Sequence, residues 1–145
     1  MNFRIEIDDP VIYEAARIVA EHYKDYKFLE RVRTIPHFNH TSHSGVTVSK
    51  VIDNAQVFVI IRPYKTWNPW SSAIGYASGK VIYVNTRKLN LPLMDRVENF
   101  LHEPLHLLGY SHKGNYVTPF NLETVPYKVA AVFRQYIEDL KDGKL

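Results

Sequence analysis

The sequence predicts one α+β domain containing a small mixed or partly antiparallel sheet. Three observations carry that expectation: alternating apolar residues at the start of the chain, a short β-branched run near its middle, and a change to helical spacing after residue 90. At 145 residues the chain has the length of a single domain, and a chain of that size buries roughly 70% of the surface its unfolded form exposes.

Composition narrows the class. With 46% hydrophobic, 23% charged and 13% aromatic residues, the chain reads as globular rather than disordered, collagen-like or low-complexity. It contains no cysteine, which excludes disulfide frameworks, thiolate zinc fingers and a cysteine nucleophile, so any metal site must use His, Asp or Glu. The excess of 18 basic over 15 acidic residues is small and forms no long basic run, so charge does not argue for nucleic acid. No unbroken apolar stretch is longer than that of Val57 to Ile61, which falls far short of the roughly 20 residues of a membrane span. Residues Met1 to Glu6 lack the apolar core of a signal peptide, and the expectation is a soluble, unexported chain, cytoplasmic or of unassigned compartment.

Taken in order, Phe3, Ile5 and Ile7 alternate with Arg4, Glu6 and Asp8, the pattern of a strand with one buried face. Asp9-Pro10 supplies an N-cap and a proline at the first helical position, and Ile12, Ala15, Ala16, Val19, Tyr23 and Tyr26 extend a backing helix from about Pro10 to Arg31, with His22 on its flank. Thr34 to Ser44 reads as a polar loop. Its His37, His40 and His43 recur at spacing three without the fixed convergence of a helix face, and read as exposed loop residues or as accessory metal ligands. Val46, Val48 and Val51 resume as a strand. Gln56 to Arg62 is a central strand buried on both faces. Pro63 to Ser72 is a loop pinned by Tyr64, Trp67 and Trp70. Ala73 to Ala77 and Lys80 to Asn85 form a hairpin about Ser78-Gly79.

The period then changes. Asn90 caps a helix whose Val97, Leu101, Leu105 and Leu108 form one apolar stripe, and Gly109 ends it. Thr124 caps a last helix carrying Val129, Val132, Phe133, Tyr136, Ile137 and Leu140, which Gly143 ends.

Chemistry concentrates in His102-Glu103-Pro104-Leu105-His106-Leu107-Leu108-Gly109-Tyr110-Ser111-His112. Residues four apart share a helix face, so His102 and His106 can converge on one ion while the leucines face the core. A reversal at Gly109 can return His112 as a third nitrogen, leaving the fourth tetrahedral position of Zn²⁺ for water, as a catalytic site requires. Glu103, beside the first ligand, is placed to act as general base toward that water. Pro104 breaks the local rule: inside a helix it removes a donor and clashes with the carbonyl of Phe100, at about 3 kcal/mol. The expectation is a bend between Glu103 and His106, or a helix whose hydrogen-bonded part begins later.

These residues match the long zinc-binding motif of the metzincin metallopeptidases, which the chain resembles. The resemblance implies a zincin-like fold in one domain over residues 1–145, with sheet, backing helix and active-site helix to about residue 109 and a smaller C-terminal part from about 110. It implies His102, His106 and His112 as zinc ligands, Glu103 as catalytic base and Gly109 as the turn residue. An edge strand, here Ala73 to Ala77, would pair with an extended peptide or protein substrate. The methionine turn of that family has no counterpart, since the only methionines are Met1 and Met94. Thr124-Val125-Pro126-Tyr127 stands in its place, and Tyr127 is the analogue of a family tyrosine that stabilises the oxyanion. The motif is also similar to that of the bacterial ribosomal-RNA-maturation endoribonucleases, which share the environment of Leu105 to Tyr110 but carry glycine where this chain has Glu103. The leading expectation is a monomeric zinc endopeptidase with neither nucleic acid nor membrane as partner. A metal-dependent endoribonuclease and a non-catalytic binding module with a degenerate site are the alternatives.

Overall fold

The structure, a computed structural model, describes residues 1–71 and 74–145. It is an α+β fold built on one open, mixed sheet of four strands: β1 (Asn2–Ile5), β2 (Phe58–Tyr64), β3 (Gly75–Ser78) and β4 (Val81–Asn85). The order is β1-β2-β4-β3, with β1 and β4 parallel to β2 and β3 antiparallel to β4. The described residues form six α-helices: α1 (Pro10–His22), α2 (Tyr26–Arg33), α3 (Gly45–Asp53), α4 (Leu93–Leu107), α5 (Pro119–Leu122) and α6 (Val125–Lys141). No helix among the described residues is long and apolar enough to cross a membrane.

The β-branched run lands where its chemistry requires. β2 lies between β1 and β4, and Val59, Ile60 and Ile61 are buried. The hairpin also forms. Ser78 pairs with Val81, so the connection is Gly79-Lys80, and Tyr76 stacks on Tyr83 across the pair at 4.6 Å. Of the expected edge strand, Ala73 lies outside the described residues, as does Ser72 of the preceding loop.

Helix α4 is the spine of the core. Its Val97, Phe100, Leu101 and Leu105 are fully buried where it packs against α1 and α6, each such side chain contributing about 1.5–3 kcal/mol relative to exposure. Arg134 of α6 adds ion pairs to Asp95 at 2.8 Å and Glu98 at 3.0 Å. On the far side of α6, Phe133 meets Phe28 of α2 edge-on at 4.9 Å.

Several expectations change. The helix drawn from Pro10 to Arg31 is two helices, because Asp25 closes a turn onto the carbonyl of His22 and its carboxylate takes the His22 ring and the Tyr136 hydroxyl, each at 2.7 Å. Tyr26, counted in the apolar stripe, is 73% exposed. Residues 46–51 form helix α3 rather than a strand. Val48 and Ile52, four apart, are buried while Val46 is exposed, so the helical period outweighs the short valine alternation. The tryptophans do not pin their loop: Trp67 and Trp70 are 92% and 90% exposed. Its base is instead held by Arg87 Nε donating to the Thr66 carbonyl at 2.8 Å.

Helix α4 starts at Leu93 behind Pro92 rather than at Asn90, and α5 was not foreseen. Pro104 does not interrupt the helix. The helix runs unbroken through it to Leu107, and the proline is buried. Gly109, at φ 99°, ends α4 as expected: its N–H donates to the His106 carbonyl and that of Tyr110 to Leu105. Thr124 caps α6 through its carbonyl, which accepts from Lys128 N–H at 2.8 Å.

At the start of α3, Gly45 lies against the preceding segment so closely that a Cβ there would stand 2.1 Å from the Val32 carbonyl and 2.4 Å from that of Ile35. Both obstacles are backbone. Gly45→Ala is therefore expected to lower unfolding free energy by about 2–3 kcal/mol, read from the urea midpoint at unchanged slope.

Candidate metal centre

Helix α4 buries one face and turns the other to a cleft of about 1150 Å³, bounded opposite by the start of β3 at Gly75, Tyr76 and Ala77. His102 and His106 face that cleft one turn apart, as their spacing requires. The chain reverses at Gly109 and brings His112 to the same point. One ring nitrogen from each of the three histidines lies within 4.8 Å of the others, so together they can hold a metal ion. His102 and His106 approach most closely, 3.3 Å between their Nε2 atoms.

The second nitrogen of each ring explains this convergence. His106 Nδ1 lies 2.8 Å from the Tyr110 carbonyl and His112 Nδ1 2.8 Å from the Gly114 carbonyl. The His102 ring is hydrogen-bonded to the backbone of Pro126, which offers only a carbonyl. A carbonyl can only accept, so in the neutral rings of His106 and His112 the proton sits on Nδ1 and Nε2 presents a lone pair. Burial, followed by the neighbouring His106 and His112, pushes the pKa of His102 down to about 3, so this ring is neutral at pH 7. Lone pairs facing one another without a proton between them repel, and a cation at their centre turns that repulsion into coordination. Imidazoles whose other nitrogen is tied to a carbonyl are the arrangement by which metal-binding proteins orient this ligand.

Around the histidines lie the other residues singled out from the motif. Glu103 is half-buried at the cleft wall. Burial raises its carboxyl above the usual range, and His112 pulls it partly back. Tyr127, on the first turn of α6, brings its ring to 4.5 Å from that of His102 and 4.9 Å from that of His112. Burial, then the charge of Glu103, raises its phenol.

The loop histidines behave differently. His37, His40 and His43 form no ligand group, since 102, 106 and 112 make up the only such set among the described residues. His43 instead reaches the Tyr110 hydroxyl, 3.0 Å from its Nδ1, beneath the carbonyl that orients His106. Sequence reasoning missed that contact and the roles of the Gly114 and Pro126 carbonyls, because backbone groups leave no signature in residue type. The tyrosine following Gly109 was the one available clue.

Comparison with protein families, with curated proteins and with solved structures finds no match to this chain.

The wild-type protein is expected to take up one equivalent of zinc or cobalt. Since four-ligand zinc sites supply about 10–16 kcal/mol, or roughly 3 kcal/mol per ligand, His106→Ala should weaken binding roughly 100-fold. Equilibrium dialysis with elemental analysis checks both figures.

Proposed function

We propose that this protein is a zinc-dependent endopeptidase with a zincin-like arrangement, a small and atypical counterpart of the metzincins. The observation that carries the reading is the meeting of three converging histidines and a half-buried glutamate in one cleft whose opposite wall is the terminal strand of the sheet. His102, His106 and His112 would hold the ion. When bound, zinc supplies Lewis-acid polarisation of a carbonyl oxygen and lowers the pKa of water toward 7.

The remaining chemistry falls to the chain. Among the described residues β3 pairs only with β4, and its other edge would hold an extended peptide by main-chain hydrogen bonds. Glu103 takes a proton from the attacking water onto a carboxylate oxygen and delivers it to the leaving amine nitrogen. Its burial favours this, because a desolvated carboxylate is a stronger base than an exposed one. Tyr127 donates from its hydroxyl to the oxygen that gathers negative charge as the carbonyl becomes tetrahedral. Burial and the nearby carboxylate keep that phenol protonated, as a donor must be.

Glu103 also separates this reading from RNA cleavage. Peptide hydrolysis needs a carboxylate base at that position, whereas the ribonucleases that share the flanking pattern have glycine there.

Mass spectrometry of a denatured-protein and peptide library tests the proposal. Zinc-loaded wild type is expected to produce cuts that Glu103→Ala lowers by a factor on the order of 10²–10⁴ while retaining its metal. Cleavage unaffected by Glu103→Ala, or RNA hydrolysis that survives it, would overturn the assignment. On a peptide from that library, Tyr127→Phe should reduce kcat on the order of 100-fold with little change in KM.

A further inference from the structure

The three histidines are not held alike. His102 and His106 ride on a buried helix, but His112 belongs to a segment without regular structure, followed by exposed residues from Lys113 to Val117. Its ring is oriented by the Gly114 carbonyl at 2.8 Å, and Gly114 itself stands at φ 63° with open space around its Cα. An exposed turn cannot by itself fix a ligand to within a few tenths of an ångström.

The clamp lies on α5. Asn121 is 0% exposed, and its carboxamide grips the turn on both sides of Gly114. Oδ1 accepts from Lys113 N–H at 2.9 Å, while Nδ2 donates to the Lys113 carbonyl at 2.5 Å and to the Tyr116 carbonyl at 2.9 Å. Both amide donors are thus used, and one lone pair. The backbone of Asn121 is secured in turn: its N–H donates to Thr118 Oγ1 at 3.1 Å, and its carbonyl accepts from the Thr124 hydroxyl at 2.5 Å. Neighbours of Asn121 are stitched to the polar loop, where Asn39 donates from its N–H to the Glu123 carbonyl and from Nδ2 to that of Phe120.

We infer that Asn121 is a positioning residue for the third ligand, holding the 113–116 turn so that the Gly114 carbonyl aims His112 at the point where His102 and His106 converge. The inference rests on the reading of these histidines as a metal centre. Asparagine suits the task because one short side chain offers both a donor and an acceptor to the N–H and C=O of a single residue. Aspartate has the same shape and no donor, and would set a carboxylate against two carbonyl oxygens.

A buried asparagine also stabilises the fold, so loss of stability would prove nothing. A double-mutant cycle separates the two roles. Zinc affinities of wild type, Asn121→Asp, His112→Ala and the double variant are measured by competition with a chromogenic chelator, alongside the visible absorption of the Co²⁺ forms. Asn121→Asp is expected to weaken zinc about 10–100-fold, as loss of an orienting partner does, and to move the cobalt bands toward those of His112→Ala. In the His112→Ala background the same substitution should change affinity by less than about twofold, because the ligand through which it acts is gone.

Wild-type affinity in Asn121→Asp, or a full additional loss in the double variant, overturns the inference. Should Asn121→Asp fail to fold, Gly114→Pro provides the same reading from outside the core, since proline cannot adopt a positive φ. It should reproduce both the loss and its disappearance in the His112→Ala background, and wild-type affinity there overturns the role of the turn. A wild-type protein that binds neither zinc nor cobalt overturns instead the metal-centre reading beneath it.

Discussion

Everything at the candidate centre depends on one helix serving two faces. α4 must bury Val97, Phe100, Leu101, Pro104 and Leu105 while presenting His102, Glu103 and His106 to the cleft. Both demands are met by the same 3.6-residue period, so the packing that stabilises the helix also sets the angular separation of its histidines. The helix cannot turn His102 and His106 away from the cleft as a body without lifting apolar residues out of the core. The burial of five residues at about 1.5–3 kcal/mol each anchors the site more firmly than any contact within it.

What the helix does not set is the rotation of each ring about its own bonds, and here the backbone takes over. Carbonyls from Tyr110, Gly114 and Pro126 engage the three histidines. All three lie beyond Gly109: two in the segment that connects α4 to α6, and the third on the first turn of α6 itself. The helix cap therefore has a role beyond ending a helix. By turning the chain at φ 99° it aims the Tyr110 carbonyl back at His106 and sends His112 toward the cleft. Fold and site are coupled at this residue, and the connecting segment is ordered by its own hydrogen bonds, which makes it a framework for ligands although it contains only one short helix.

Much of this was legible from residue types. The four-residue spacing of His102 and His106, the glycine after Leu108 and the β-branched run in β2 each reflect a local geometric rule, and each holds in the structure. The failures came where tertiary contacts outvote local pattern. Val46 and Val48 alternate over too short a span to outweigh the Val48–Ile52 helical pair. The break between α1 and α2 depends on Tyr136, more than a hundred residues away in the chain, sharing the carboxylate of Asp25. Within the site, the histidines and the place of Tyr127 could be anticipated, because side chains announce their chemistry. The carbonyls that orient them could not, because every residue has one.

Pro104 shows how such a conflict resolves. Its local cost is about 3 kcal/mol, from one missing N–H and the crowding of the Phe100 carbonyl. A free helix would break there. In α4 the penalty is offset by the burial of the proline ring and of Phe100, Leu101 and Leu105 beside it, several times larger in sum. The proline also sits in the last turns, where the Leu108 N–H still closes onto its carbonyl at 3.2 Å and the cap at Gly109 secures the end. A helix held from both sides and capped beyond the defect has no way to unwind locally without surrendering its packing. Thus the residue that most contradicts a helix lies in one, between the glutamate and the second histidine, and the spacing of the ligands survives.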